Sequence, residues 1–119
     1  SGTRYGNMTA QLRNFLDQTG PLWSESKLVG KLAGFFTGTS TLHGGQETTI
    51  LTMSTFAFHM GMLIVPIGYA LEAVSNTKGG GSPYGAGFLA GKDEFDENEV
   101  AIARHLGEKL ATYAAKLAS

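Results

Sequence analysis

The chain has 119 residues, enough for one domain with a real core, and carries nine Lys and Arg against ten Asp and Glu. A formal net charge of -1 gives no electrostatic case for nucleic acid or an anionic membrane as a main partner, and 42% apolar against 16% charged residues excludes a disordered chain. No cysteine occurs, which rules out disulfide scaffolds, thiolate metal sites and cysteine nucleophiles, while 17 glycines stand at about twice ordinary usage.

The opening Ser1-Gly2-Thr3-Arg4 has no apolar stretch behind it and no initiator Met, so the expectation is a processed or truncated piece without a secretory leader. Residues 7–18 read as a helix, with Asn7 as N-cap and Met8, Leu12, Phe15 and Leu16 on one face. Thr19-Gly20-Pro21 stops it. Residues 31–37 form a short apolar run with the character of a buried strand, and residues 38–46 are a small polar loop. Residues 47–60 carry helical spacing (Ile50, Leu51, Ser54, Phe58), with Glu47 where the helix dipole favours an acid.

Met62 to Val65 is a second buried strand, closed by Pro66 and Gly68. The longest apolar stretch, Phe56 to Leu71, is interrupted by His59, Gly61, Pro66 and Gly68 and is too short to span a bilayer. Residues 75–91 read as loop, centred on Gly79-Gly80-Gly81-Ser82-Pro83-Tyr84-Gly85. Asp96 and Glu99 then form a capping box that opens a long helix to about Leu117. Its apolar face is Ala103, Leu106, Leu110, Tyr113 or Ala114, and Leu117, with Lys109 and Lys116 towards its end.

Helices alternating with apolar strands belong to α/β folds with a parallel sheet. Two strands do not make a stable parallel sheet, and the chain starts directly on a helix. Residues 1–119 are therefore expected to be the C-terminal part of one larger α/β domain.

Strand, small polar loop and helix follow one another from Phe35 to Thr48, and open parallel sheets bind ligands in loops of this kind. Backbone amides at the helix start can hold an anion or the polar edge of a flat ring, although the same composition also suits an ordinary turn. Neither a Walker loop nor GxGxxG is present. Thr3-Arg4-Tyr5-Gly6-Asn7-Met8 sets an Arg beside an aromatic ahead of helix amides, which suits stacking on a flat anionic group as well as a plain capped helix start. His43, His59 and His105 lack metal-ligand spacing, and a histidine in an apolar run such as His59 commonly serves the core. Trp23 reads as a core plug or a pocket wall, and the acidic run Asp93 to Glu99 as helix capping plus solvated surface.

Thr3-Arg4-Tyr5-Gly6-Asn7-Met8, Phe15-Leu16-Asp17-Gln18-Thr19-Gly20, His43-Gly44-Gly45-Gln46-Glu47-Thr48 and Gly80-Gly81-Ser82-Pro83-Tyr84-Gly85-Ala86, with Ile102-Ala103-Arg104, stand in one order along the chain. Together they resemble the WrbA-type NAD(P)H:quinone oxidoreductases. That resemblance implies a flavodoxin-like doubly wound parallel sheet, of which this chain is the C-terminal part. It also implies non-covalent FMN, ping-pong reduction of quinones by NADH or NADPH, and a homotetramer in the cytoplasm. By position, Thr3, Arg4, Tyr5, Gly6 and Asn7 would meet the isoalloxazine ring, and Gly38, Thr39, Ser40, Thr41, Leu42 and His43 would hold it from the other side. His59 would line the flavin site, and Trp23 would wall a quinone pocket built where subunits meet.

A flavin that carries the hydride chemistry explains the missing acid–base constellation. The family's phosphate loop lies in an N-terminal half not contained in this sequence, so that half is an expected partner and this piece alone is expected to bind FMN poorly. The other readings are a non-catalytic association module or a flavodoxin-type electron carrier, which flavin colour and NADH-driven benzoquinone reduction would separate from the enzyme.

Overall fold

The structure is a computed structural model and describes residues 1–118. A two-residue strand β1 (Thr3–Arg4) turns back into β2 (Asn7–Met8), pairing Thr3 with Met8 and Arg4 with Asn7 antiparallel. Helix α1 (Ala10–Asp17) follows, then a single turn α2 (Gly20–Ser24). Strands β3 (Leu32–Ala33) and β4 (Phe36–Thr39) lead into α3 (Gln46–His59). After β5 (Leu63–Ile64) come α4 (Glu72–Asn76), β6 (Ala86–Leu89) and the long helix α5 (Glu97–Ala118).

The main pairing is β4 with β6, parallel and in register from Phe36–Ala86 to Thr39–Leu89. Strand β3 pairs β5, also parallel, through Leu32–Leu63 and Ala33–Ile64. A parallel bridge from Gly2 to Gly38 lays the N-terminal residues along β4 as well. The glycine-rich segment read as loop thus contains the last two residues of α4 and a whole parallel strand, β6. Its strand escapes a hydropathy reading because Gly85 and Gly87 break the apolar run, and both are buried where no side chain fits. A Cβ at Gly85 would overlap the Phe35 carbonyl, and one at Gly87 the Gln46 amide oxygen.

Other boundaries shift for local reasons. Asn7 lies in β2 rather than capping a helix, and the cap of α1 is Thr9, whose hydroxyl accepts the Leu12 N–H at 3.3 Å. Gly20 and Pro21 do not merely stop α1; they open α2, with proline in the first turn where its missing N–H costs nothing. The run 31–37 divides at Gly34 and Phe35 into β3 and β4, and β4 continues to Thr39, two residues into the expected loop.

The core has two clusters. Ile67, Val74, Ala86, Ile102 and Leu106 join α4, β6 and α5, while Met8, Ile50 and Met53 join β2 and α3, with Leu12 and Leu16 of α1 packed on. Helix α3 buries Thr49, Ile50, Met53, Ser54 and Ala57 and leaves the expected Leu51 and Phe58 exposed. Apolar residues surround it on all sides, so spacing alone does not select the inward face. Helix α5 buries Ile102 and Leu106, but residues 111–118 are all exposed, including Tyr113 and Leu117. No described helix is long and apolar enough to cross a membrane.

Candidate functional site

The site is assembled where β4 ends and α3 begins. Between β1 and β2 the chain reverses through Tyr5 (φ 51°) and Gly6 (φ 75°), two consecutive left-handed residues. Such a turn suits glycine, but a tyrosine there costs about 1–2 kcal/mol, and the result is a side chain held fully out in solvent. The turn rests on the start of α3: a Cβ on Gly45 would lie 2.7 Å from the Gly6 Cα. Only two glycines permit this approach.

A row of hydroxyls ties that turn to the strand and helix beneath it. Thr49 Oγ1 donates to the Gly45 carbonyl at 2.8 Å, so its single proton is spent. It therefore accepts from Thr3 Oγ1 at 3.0 Å, which in turn accepts from Thr37 Oγ1 at 2.8 Å. Thr37 and Thr49 are buried, and the row runs in one direction from β4 through Thr3 to the cap of α3. Gly45, as that cap, offers no side chain. The first intrahelical bond is Thr49 N–H to Gly45 O, which leaves the amides of Gln46, Glu47 and Thr48 without partners inside the helix.

On its other flank the start of α3 borders a cleft of about 530 Å³. Leu42, His43, Glu47 and Thr48 line it together with Gly79, Gly81, Ser82 and Pro83, and Tyr69 and Val74 contribute as well. Gln46 also lines it, buried and hydrogen-bonded through both its amide atoms. Its Nε2 donates to Thr39 Oγ1 at 3.0 Å and to the Phe88 carbonyl at 3.1 Å, and its Oε1 accepts the Gly81 N–H at 3.1 Å. Glu99 is the buried carboxylate behind the glycine wall. Burial alone would raise its pKa, but accepted N–H bonds from Leu89, Gly80 and Asp96, with Lys92 nearby, outweigh this and hold it below the usual carboxylate value.

Of the residues singled out from sequence, Thr3, Arg4, Tyr5, Gly6 and Asn7 lie together on the hairpin, with Arg4, Tyr5 and Asn7 exposed. Ser40, Thr41, Leu42 and His43 form the exposed loop beside it. Gly38 and Thr39 belong instead to β4 and are buried; the Thr39 hydroxyl is engaged by Gln46 and by the Thr41 carbonyl at 2.8 Å. His59 ends α3, about 20 Å along the axis from Gln46 at the ordinary rise per residue. Trp23 sits on α2, 59% exposed and outside the cleft lining. His59 therefore does not meet the hairpin and loop within one chain.

The sequence assigns no site role to Gln46, for which the Gly44-Gly45-Gln46 run is the available signal, and only a helix-capping role to Glu99. Glu99 does close the expected capping box, accepting the Asp96 N–H at 3.0 Å, but it is buried rather than solvated.

The donor set fits a flat, hydrogen-bonding ring such as that of FMN. Backbone N–H groups, small side chains and a close glycine-to-glycine approach border it, and Arg4 and Tyr5 are exposed at its margin, Arg4 bonded to the Thr3 carbonyl at 3.0 Å. Among the described residues no group of His, Asp or Glu could hold a metal ion.

The model of the NADPH-dependent FMN reductase family matches residues 1–76. An NAD(P)H dehydrogenase (quinone) of Chromohalobacter salexigens is 49% identical over 121 aligned residues, covering 98% of this chain and 60% of that protein. One of Acidithiobacillus ferrooxidans is 48% identical, covering 97% of this chain and 60% of its own length. The crystal structure of the flavodoxin, WrbA-like protein from Agrobacterium tumefaciens superposes with a TM-score of 0.77 at 22% identity, over 98% of this chain and 63% of that one. The chain thus spans about 60% of the length of the curated relatives it matches. With the parallel β4–β6 pairing, this gives it a flavodoxin-like fold, and the chain belongs to the NADPH-dependent FMN reductase family.

Proposed function

We propose that this chain is the C-terminal part of one flavodoxin-like domain in an FMN-dependent NAD(P)H:quinone oxidoreductase. The observation that carries the reading is its near-half identity, along almost its whole length, with two proteins named NAD(P)H dehydrogenase (quinone). The balanced reaction takes NADH or NADPH, a proton and a quinone to NAD(P)+ and the hydroquinone. The bound flavin would supply the chemistry, accepting a hydride from the nicotinamide and passing the electron pair to the quinone.

This chain's residues bind and orient. Arg4, Tyr5, Gly6 and Asn7 offer one margin to the ring, and Ser40, Thr41, Leu42 and His43 the other. Thr3 gives its hydroxyl to the row beneath and so holds the hairpin in place. The free amides opening α3 stabilise negative charge brought against them. His59, remote from this margin in one chain, would act from a neighbouring copy in a homotetramer, and Trp23 would wall a quinone pocket where the copies meet. The cytoplasm is the compartment that suits a cysteine-free nicotinamide-dependent enzyme.

The test is purification of the full-length protein, its flavin spectrum, and NADH or NADPH oxidation with benzoquinone. A bound FMN spectrum with quinone-dependent turnover is expected. Bound flavin without turnover would leave an electron carrier, and absence of flavin after FMN addition would leave an association module.

A further inference from the structure

Two buried polar side chains, from two different helices, grip neighbouring amides of a single loop. Gln46, in the first turn of α3, accepts the Gly81 N–H at 3.1 Å while donating to Thr39 and Phe88. Glu99, in the first turn of α5, accepts the Gly80 N–H at 2.7 Å and the Leu89 N–H at 2.8 Å through Oε1, and the Asp96 N–H at 3.0 Å through Oε2. Lys92 Nζ lies 3.9 Å from the same Oε1. Both side chains are nearly inaccessible, Gln46 at 8% and Glu99 at 3% exposure.

Capping α5 requires only the bond to Asp96. The two further bonds reach a strand end and a loop that lies 19 residues earlier in the chain. The loop, meanwhile, is pressed flat on β6. A Cβ on Gly80 would overlap the Gly87 backbone, and one on Gly87 would overlap Gln46 Oε1. Thr77 pins the same loop from its near end, its hydroxyl donating to the Gly80 carbonyl at 2.7 Å. The loop has no apolar side chain of its own between Gly79 and Ser82, so these polar bonds replace packing as the source of its fixed position.

Gly79 and Gly81, with Ser82 and Pro83, line the same cleft as Leu42 and His43. We propose that Gln46 and Glu99 are positioning residues that clamp the Gly79–Gly81 wall and thereby set the width of the cleft for a planar quinone. The inference rests on the proposed function for the identity of that ligand, and on the hydrogen bonds alone for the clamp. The hairpin carrying Arg4 and Tyr5 is held by the separate hydroxyl row, so releasing the clamp should widen the substrate side and spare the flavin margin.

The experiment compares full-length FMN-loaded wild type with Glu99→Gln, Gln46→Met and the milder Thr77→Val. Amide exchange and steady-state kinetics with benzoquinone are followed. The Gln side chain at position 99 still offers one acceptor oxygen but turns an NH2 group towards N–H donors. Exchange at Gly80 and Gly81 is expected to accelerate about tenfold or more, with amides of Met53 to Ala57 unchanged. The KM for benzoquinone is expected to rise about fivefold at unchanged kcat and unchanged flavin absorbance.

Exchange that rises evenly over the whole chain, or stays unchanged at Gly80 and Gly81 in all three variants, overturns the clamp. A loosened loop with an unchanged KM overturns its role in the cleft. Should wild type reduce no quinone, the proposed function fails, and the exchange data still decide the clamp. Should Glu99→Gln fail to fold, Gln46→Met and Thr77→Val carry the same readouts.

Discussion

Alanine at Gly45 tests whether the hairpin truly bears on the start of α3. Gly45 caps that helix at φ 95° and ψ 36°, a left-handed conformation that costs an L-residue about 1–2 kcal/mol. Its added Cβ would also lie 2.7 Å from the Gly6 Cα and 2.9 Å from Thr48 Oγ1. The second atom can rotate aside, but the first is backbone and cannot, so a further overpacking cost of about 1–3 kcal/mol is expected. The total is about 2–5 kcal/mol.

Gly30 supplies the control, because its φ is 74° and nothing lies within 4 Å of an added Cβ. Gly30→Ala should therefore lose only the conformational part, about 1–2 kcal/mol. Urea unfolding of the two full-length variants isolates the clash as their difference. If that clash is relieved by lifting the Tyr5–Gly6 turn away, flavin affinity falls in Gly45→Ala and not in Gly30→Ala, which fluorescence titration reads directly. Equal destabilisation and equal flavin affinity in the two variants would refute the argument.

The hydroxyl row makes a second prediction. Thr49→Val removes the donor to Gly45 and the acceptor of Thr3, and should cost about 1–3 kcal/mol in urea unfolding, with the larger share if the Thr3 proton finds no new partner. Acid makes a third, through Glu99. Its native pKa is depressed relative to the unfolded chain, so the stability it contributes is complete above the unfolded value of about 4.3 and is lost as pH falls through the lower native value. Measured between pH 7 and pH 3, the urea midpoints of wild type and Glu99→Gln should converge at the acid end, and a constant gap across that range contradicts the assignment.

Much of the architecture is legible in the chain because it rests on local chemistry. Asp96 with Glu99 marks the start of α5 by the three-residue spacing of a capping box, and the bond from Asp96 N–H to Glu99 is present at 3.0 Å. The Phe35-to-Thr48 succession of strand, small polar loop and helix needs no tertiary information. Thr3 to Asn7 and Ser40 to His43 likewise stand out as candidate ligand loops through small, polar and aromatic residues beside a helix start.

What could not be read there is decided by contacts between distant residues. Residues 86–89 become a strand because β4 supplies the parallel partner from Phe36 to Thr39, and the glycines that hide this strand from a hydropathy pattern are what let neighbouring backbone press against it. Helix α3 turns Ile50 and Met53 inward because Met8 of β2 and Leu12 and Leu16 of α1 pack with them, and leaves Leu51 exposed. Sequence alone therefore determined the α/β class and the start of α5, since each depends on a few neighbouring residues. The tertiary structure alone decided that Glu99 is a buried clamp rather than a solvated cap, because its extra partners, Gly80 and Leu89, reach it only when the chain has folded.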